Sequence, residues 1–249
     1  MDETLYPMRN HVALKHCNPD KPTKYGVLFK SLNDTQHSYT YRSMVYAGKP
    51  NKQPSPFYVC GTQMYIRKLV TSLEKSNSLQ GRNISMDRLY TSILIARWLL
   101  SKNITCVGTL QTNHVGIPEE VKSVKNREPY SCRMYWEKEQ GELVITSSLV
   151  PMTKGPKNVL ILSTVEPLQG VTKDDGKKKP SIFKLYDFTK AGTDVVDPRI
   201  GKYSTKTKSP KWPWVCFNYV LDTIQENAST VLCKKLDVAA KDIDLFELG

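Results

Sequence analysis

Apolar residues recur in two rhythms over the first 112 positions, and the rhythms alternate. After NPDKPTKYG, whose prolines and glycine mark a turn, GVLFKSL and SYTYRSMVYAG are short and rich in β-branched and aromatic residues, so both are predicted strands joined by the hairpin-like loop NDTQH. ETLYPMR at the amino end reads as another strand. The proline-rich AGKPNKQPSPF cannot serve in a central strand and is a connection. In GTQMYIRKLVTSLEKS, Tyr65, Leu69 and Leu73, with Ile66 and Val70, fall on one helical face. GRNISMD is a short buried strand, RLYTSILIARWLLSK a helix in which Leu89, Ile93, Ala96 and Leu100 recur, and NITCVGTLQT a further strand. Strand and helix in turn predict an α/β layer with helices packed on a sheet.

From Asn113 to about Lys179 the rhythm changes. CRMYWE, GELVITSSLV and NVLILSTV are strand-like, separated by turns and with no convincing helix between them, which predicts a β-rich insertion. TKDDGKKKP reads as a solvated loop turning at Gly176. The alternation resumes with SIFKLYDF and ends in WVCFNYVLDTIQENASTVLCKKL, a long amphipathic helix starting near Trp214. Trp212 and Trp214 read as core anchors for that helix, with DNA contact as the other role.

Composition narrows the class. At 249 residues, 39% hydrophobic and 24% charged, the chain can bury a real core. No apolar run approaches a membrane span and MDETLYPMRN lacks the pattern of a signal peptide, so a soluble intracellular protein is expected. The six cysteines are scattered singly, without the paired spacing of a zinc or redox motif, and are expected as free thiols. A net charge of +12 draws the chain to polyanions, nucleic acid first among them. Lys202, Lys206, Lys208 and Lys211 lie in KYSTKTKSPKW, where interleaved aromatics and hydroxyls suit phosphate contact as well as they suit a solvated loop.

Four acids stand out. Asp194 and Asp197 lie one helical turn apart in KAGTDVVDPRIG, directly behind Gly192. Aspartate is poor in a helix interior but good as a cap or as a ligand for hard cations. Asp197 precedes Pro198, the spacing of an N-cap followed by the first helical position. Asp87 lies where a strand hands over to a helix, at the edge where open α/β sheets expose functional groups, and a helix N-cap is its alternative role. Asp2 has the alternative of a solvated terminus.

In order along the chain, Asp2-Glu3 with the following PMR, NPDKPTKYG, NISMDRLYTSILIARWLL, VGTLQTN, and KAGTDVVDPR followed by KWPW resemble the catalytic core of the piggyBac family of DNA transposases. The resemblance covers nearly the whole chain. It implies an RNase H-like α/β fold, a mixed sheet with flanking helices, interrupted by a β-rich insertion and closed by a C-terminal helix. Its expected divisions are 1–112 for the first part of the core, 113–180 for the insertion, 181–205 for the third-acid segment and 206–249 for a helical DNA-binding and dimerisation remnant. It also implies catalytic Asp2, Asp87 and Asp194 holding two Mg2+ ions, with Asp197 a fourth acid at the site. The partners implied are transposon-end and target DNA and a second copy of the chain, with no membrane and no small-molecule substrate, in the nucleus. The sequence departs from the family pattern at Ala191, where a glycine pair is usual, at Gln111, often basic, and at Lys211, which replaces an arginine that would grip phosphate bidentately. A core truncated at both ends is expected, with Asp2 on a frayed terminus. Two functions stay open: a metal-dependent transposase domain, whole or partial, and a transposon-derived DNA-binding protein without chemistry.

Overall fold

The computed structural model describes residues 1–19, 21, 23–48, 61–74, 79–138, 142–153, 155–165, 171–174, 177–190, 192–206 and 211–236. In chain order the elements are β1 (Asp2–Pro7), β2 (Lys15–Cys17), β3 (Tyr25–Asn33), β4 (Thr40–Val45), α1 (Thr62–Glu74), β5 (Asn83–Met86), α2 (Ile93–Leu100), β6 (Thr105–Leu110), α3 (Glu119–Lys122), β7 (Cys132–Trp136), β8 (Val144–Val150), β9 (Lys157–Ser163), β10 (Val171–Asp174), β11 (Lys177–Pro180), α4 (Ser181–Lys190), α5 (Gly192–Lys202) and α6 (Trp212–Leu236). They form two compact units, Met1 with Val70–Lys190 and Asp2–Leu69 with Ala191–Gly249.

The unit built from both ends of the chain centres on β3. This strand pairs antiparallel with β1, from Asp2↔Ser31 to Pro7↔Gly26, and also with β2 and β4. Asp2 thus starts a strand paired along its whole length, not a frayed end. Tyr6, Val27 and Phe29 of the sheet bury against Val196 and Ile200 of α5 and Val215 and Tyr219 of α6. Phe29 and Tyr219 stack with ring centroids 3.6 Å apart, and Tyr6 meets Tyr219 edge-on at 5.6 Å. Gly26 is obligatory where the two strands meet, since a Cβ there would lie 2.1 Å from Tyr6 O.

Helix α6 departs from ordinary patterning. The side it buries carries Asn218, Asp222, Glu226, Ser229 and Thr230, while Trp214, Phe217, Leu221, Ile224 and Val231 face outward. Most of that buried polar side is paired, Thr230 Oγ1 being left without a hydrogen-bond partner among the described residues. Asp222, 2% exposed, accepts from Tyr6 Oη (2.6 Å), Ser204 Oγ (2.7 Å), Thr205 N (2.7 Å) and Thr205 Oγ1 (2.7 Å). Glu226 pairs with Arg199 Nε of α5 at 2.6 Å, and Asn227 exchanges two bonds with the Thr40 backbone. Trp212 and Trp214, 43% and 52% exposed, are therefore not the core anchors expected of them; Val215 and Tyr219 hold that position.

The other unit is a five-stranded sheet in the order β5-β6-β9-β8-β7, with β5 and β6 parallel and the remaining pairs antiparallel. The strands expected in 113–180 are present, but β9 pairs directly with β6, so the boundary expected at residue 113 runs through one continuous sheet. Ile182, Phe183 and Tyr186 of α4 pack on Val107 and Ile161. Arg127 ties the far side together, its guanidinium donating to Ser147 Oγ (2.7 Å), Ser131 O (3.0 Å) and Ser147 O (3.1 Å). Of TKDDGKKKP, residues 172–174 lie in β10 and 177–180 in β11, which pair antiparallel, with Lys179 bonded to Asp187; the turn expected at Gly176 lies outside the described residues. Helix α2 is shorter than its periodicity suggests, because Ser92 caps it by accepting from Ile95 N. Among the described residues, Cys17, Cys106, Cys132, Cys216 and Cys233 are free thiols, and no helix is long and apolar enough to cross a membrane.

Candidate active site

Three of the four singled-out acids fall in one unit. Side chains alternate along β1, so Asp2 and Thr4 share one face while Glu3 takes the other. Glu3 is occupied there by the buried ammonium of Lys30 at 3.0 Å, which also sits over the rings of Tyr46 and Tyr65. Asp2 Oδ1 accepts from Glu3 N at 2.8 Å. Thr4, 5% exposed, donates from Oγ1 to Asp197 Oδ1 at 2.6 Å. That hydroxyl links the first-acid strand to α5.

Helix α5 starts against the β3–β4 connection, where a Cβ on Gly192 would lie 3.3 Å from Thr35 Cα. Val196 and Ile200, one turn apart, are its buried anchors. Asp194 is exposed in the first turn, where a carboxylate complements the helix dipole. Asp197 is neither cap nor terminus: it lies within the helix, followed by Pro198. Proline cannot donate to the carbonyl of Asp194 one turn back, so that backbone bond is absent from the helix ladder.

Burial raises Asp197 from the ordinary 3.8 to about 6. The Thr4 hydrogen bond and the charge of Lys21 oppose the rise, while Asp2 and Asp194 add to it. Both neighbours are therefore near enough for Asp197 to feel their charge. The donor set is all carboxylate oxygen, the hard type that suits Mg2+, and a cation would relieve the like-charge repulsion that Asp197 registers. In donor chemistry, then, these residues suit a divalent cation. Among the described residues no three His, Cys, Asp or Glu side chains are grouped so as to hold a metal ion by themselves. Magnesium is commonly held by one or two carboxylates, the rest of its shell being water and phosphate.

Asp87 belongs to the other unit. It is exposed just past β5, with Oδ1 accepting from Arg88 N at 2.6 Å. It does not cap α2, a role that Ser92 fills. Met1 is part of the same unit, its ammonium donating to Ser85 O at 2.6 Å.

Of the lysines, Lys202 and Lys206 are exposed around the segment that Asp222 anchors, Lys202 lying over the Tyr203 ring at 4.8 Å. Partial burial and the nearby Arg9 both lower the pKa of Lys206. Lys211 is exposed at the start of α6, and Lys208 lies outside the described residues. Sequence reasoning missed Thr4, Lys21 and Asp222. Thr4 was accessible in principle, two residues after Asp2 on the same strand face. Lys21 and Asp222 carry no local signal, since their partners lie far away in sequence.

Residues 1–229 match a family model described as Transposase IS4. The chain is 26% identical over 242 residues to PiggyBac transposable element-derived protein 2 of Homo sapiens, covering 91% of this chain and 39% of that protein. It also superimposes, with a TM-score of 0.75 and 25% identity, on a piggyBac transposase solved by cryo-EM as a synaptic complex with hairpin DNA, covering 92% of this chain and 45% of that one. The chain thus spans less than half the length of either. The superposition supports the RNase H-like α/β fold that the motifs imply. With the acid-bearing segments on their expected strand, strand end and helix, and a family match that runs through all of them, the chain belongs to the piggyBac-type transposases of the IS4 family.

Proposed function

We propose that this chain is a DNA-acting transposase catalytic segment, cleaving and joining DNA strands with divalent metal. The observation that carries the reading is the hydrogen bond from Thr4, two residues along the strand from Asp2, to Asp197 of the helix that carries Asp194, which joins the first-acid and third-acid segments. Two Mg2+ ions, when bound, supply activation of the attacking water or 3′-hydroxyl and stabilisation of the leaving oxygen. Asp2, Asp87 and Asp194 are the holders in this reading. Strand pairing fixes Asp2, the first turn of α5 presents Asp194, and the Thr4 hydroxyl orients Asp197 beside them. Lys202, Lys206, Lys208 and Lys211 contact phosphates, and the exposed Trp212 and Trp214 adjoin them. Association as a homodimer and residence in the nucleus belong to the same reading. The test is divalent-dependent cleavage of transposon-end DNA by the purified chain, lost in D87N and in D194N. Cleavage that survives either change overturns the assignment.

One observation favours a second reading, a DNA-binding protein without chemistry: the described residues contain no ready-made three-ligand metal group. DNA affinity that falls steeply with salt, is indifferent to magnesium and is unaltered by D194N would select it.

A further inference from the structure

Asp87 opens a short exposed run, Asp87 to Leu89, between tightly buried residues. Met86 is 1% exposed, Tyr90 2% and Thr91 2%. The backbone carbonyl of Asp87 accepts from Tyr90 N at 2.9 Å, Thr91 N at 3.1 Å and Thr91 Oγ1 at 3.0 Å. The same hydroxyl lies 3.3 Å from Met86 O, so its single proton is shared between two consecutive carbonyls. On the side chain, Arg88 N restrains Oδ1, and Oδ2 has no protein partner among the described residues. The corner therefore clamps the backbone on which Asp87 stands and leaves one carboxylate oxygen available.

That clamp needs an empty space across the sheet. Gly108 is the parallel partner of Met86. A Cβ on residue 108 would lie 2.2 Å from Thr91 Oγ1 and 2.6 Å from Met86 O. The second of these atoms is backbone in a paired strand and cannot step aside, so any side chain at 108 expels the Thr91 hydroxyl from its place. Filling the core does not require this arrangement, since valine at 91 would occupy the same volume. Water would satisfy the carbonyl of a surface residue, whereas a buried hydroxyl fixes it in space.

We propose that Thr91 and Gly108 are a positioning pair for Asp87, the hydroxyl locking the strand-end carbonyls and the glycine making room for it. The proposal rests on the reading of Asp87 as a metal-holding carboxylate. It is tested on the full chain with T91V, T91S and G108A, using manganese alone as probe in calorimetric titration, cleavage of transposon-end DNA, and far-UV circular dichroism as the check on folding. T91V is expected to keep the wild-type spectrum while its manganese affinity and its metal-dependent cleavage each fall about tenfold or more, and T91S to restore both. G108A is expected to behave like T91V in both readouts, because its Cβ displaces the Thr91 hydroxyl. If G108A does not fold, T91V carries the test alone. A T91V that binds manganese and cleaves as the wild type does overturns the positioning role and leaves the catalytic reading standing. A wild-type chain that binds no manganese overturns the catalytic reading, and this inference with it.

Discussion

Replacing Asp197 by asparagine removes the charge that the carboxylate site tolerates least. The carboxyl is raised from 3.8 to about 6, burial being the largest cause. Its folded-state pKa lies above its unfolded value, so between pH 4 and 6 the folded chain holds the proton that the unfolded chain has already released. Stability contributed by the protonated form is thus present at low pH and lost as pH rises through about 6. At about 1.4 kcal/mol for each pH unit, the loss amounts to about 3 kcal/mol, complete by neutral pH. Asparagine stays neutral throughout and still offers an oxygen to the Thr4 hydroxyl. Thermal unfolding of the two proteins in EDTA, from pH 4 to 8, should give equal midpoints at pH 4 and a D197N midpoint higher by about 6–12 °C at pH 8. Millimolar magnesium should narrow the gap at pH 8, because a cation offsets the charges of Asp2 and Asp194. A midpoint difference that does not change with pH, or an asparagine variant less stable at pH 8, would show that Asp197 is not held in its neutral form by its surroundings.

Other changes address separate parts of the molecule. D222A strips four hydrogen bonds from a buried carboxylate and leaves Tyr6 Oη facing the core; a loss of about 3 kcal/mol is expected in chemical denaturation, and a loss below 1 kcal/mol would mean that the anchor is dispensable. Neutralising Lys202 and Lys206 together should lower the dependence of log K on log salt for duplex DNA by about two, read by fluorescence anisotropy across a salt series. An unchanged slope removes these lysines from the interface. Charged replacements on the outer side of α6, such as L221E with I224E, should shift the unfolding midpoint by little while reducing self-association in light scattering; a large loss of stability would place that side in the core.

Much of this architecture was legible along the chain. The spacing of Tyr65, Leu69 and Leu73 gives α1, because one buried face imposes its period, while β3, β6, β8 and β9 show as short continuous runs because they are buried along nearly their whole length. Reading α2 from Arg88 failed for the opposite reason: Leu89 continues the apolar period by chance, while Ser92 terminates the helix with a side-chain bond that periodicity does not register. The tryptophans misled because α6 inverts the usual rule, burying acids and amides beneath partners drawn from residues 6 to 205. Asp194 and Asp197 are legible as a pair one turn apart on a helix starting behind Gly192, and α5 holds both; only Pro198, which argues locally for Asp197 as a cap, points away from an interior position. Thr4 on Asp197 spans 193 positions, and no local rule reaches that far.

The interleaved layout of the units has a consequence for biosynthesis. Val70–Lys190 is one uninterrupted stretch, whereas Asp2–Leu69 can be completed only by Ala191 onward. Emerging from a ribosome at about 5–20 residues per second, the opening strands wait about 10–40 s for the helices that will cover Tyr6, Val27 and Phe29. During that interval an apolar sheet surface stands bare on the nascent polypeptide while the nested stretch folds to completion. Holdase chaperones have their window there, and slow codons placed between residues 70 and 190 would lengthen it and depress the yield of native protein.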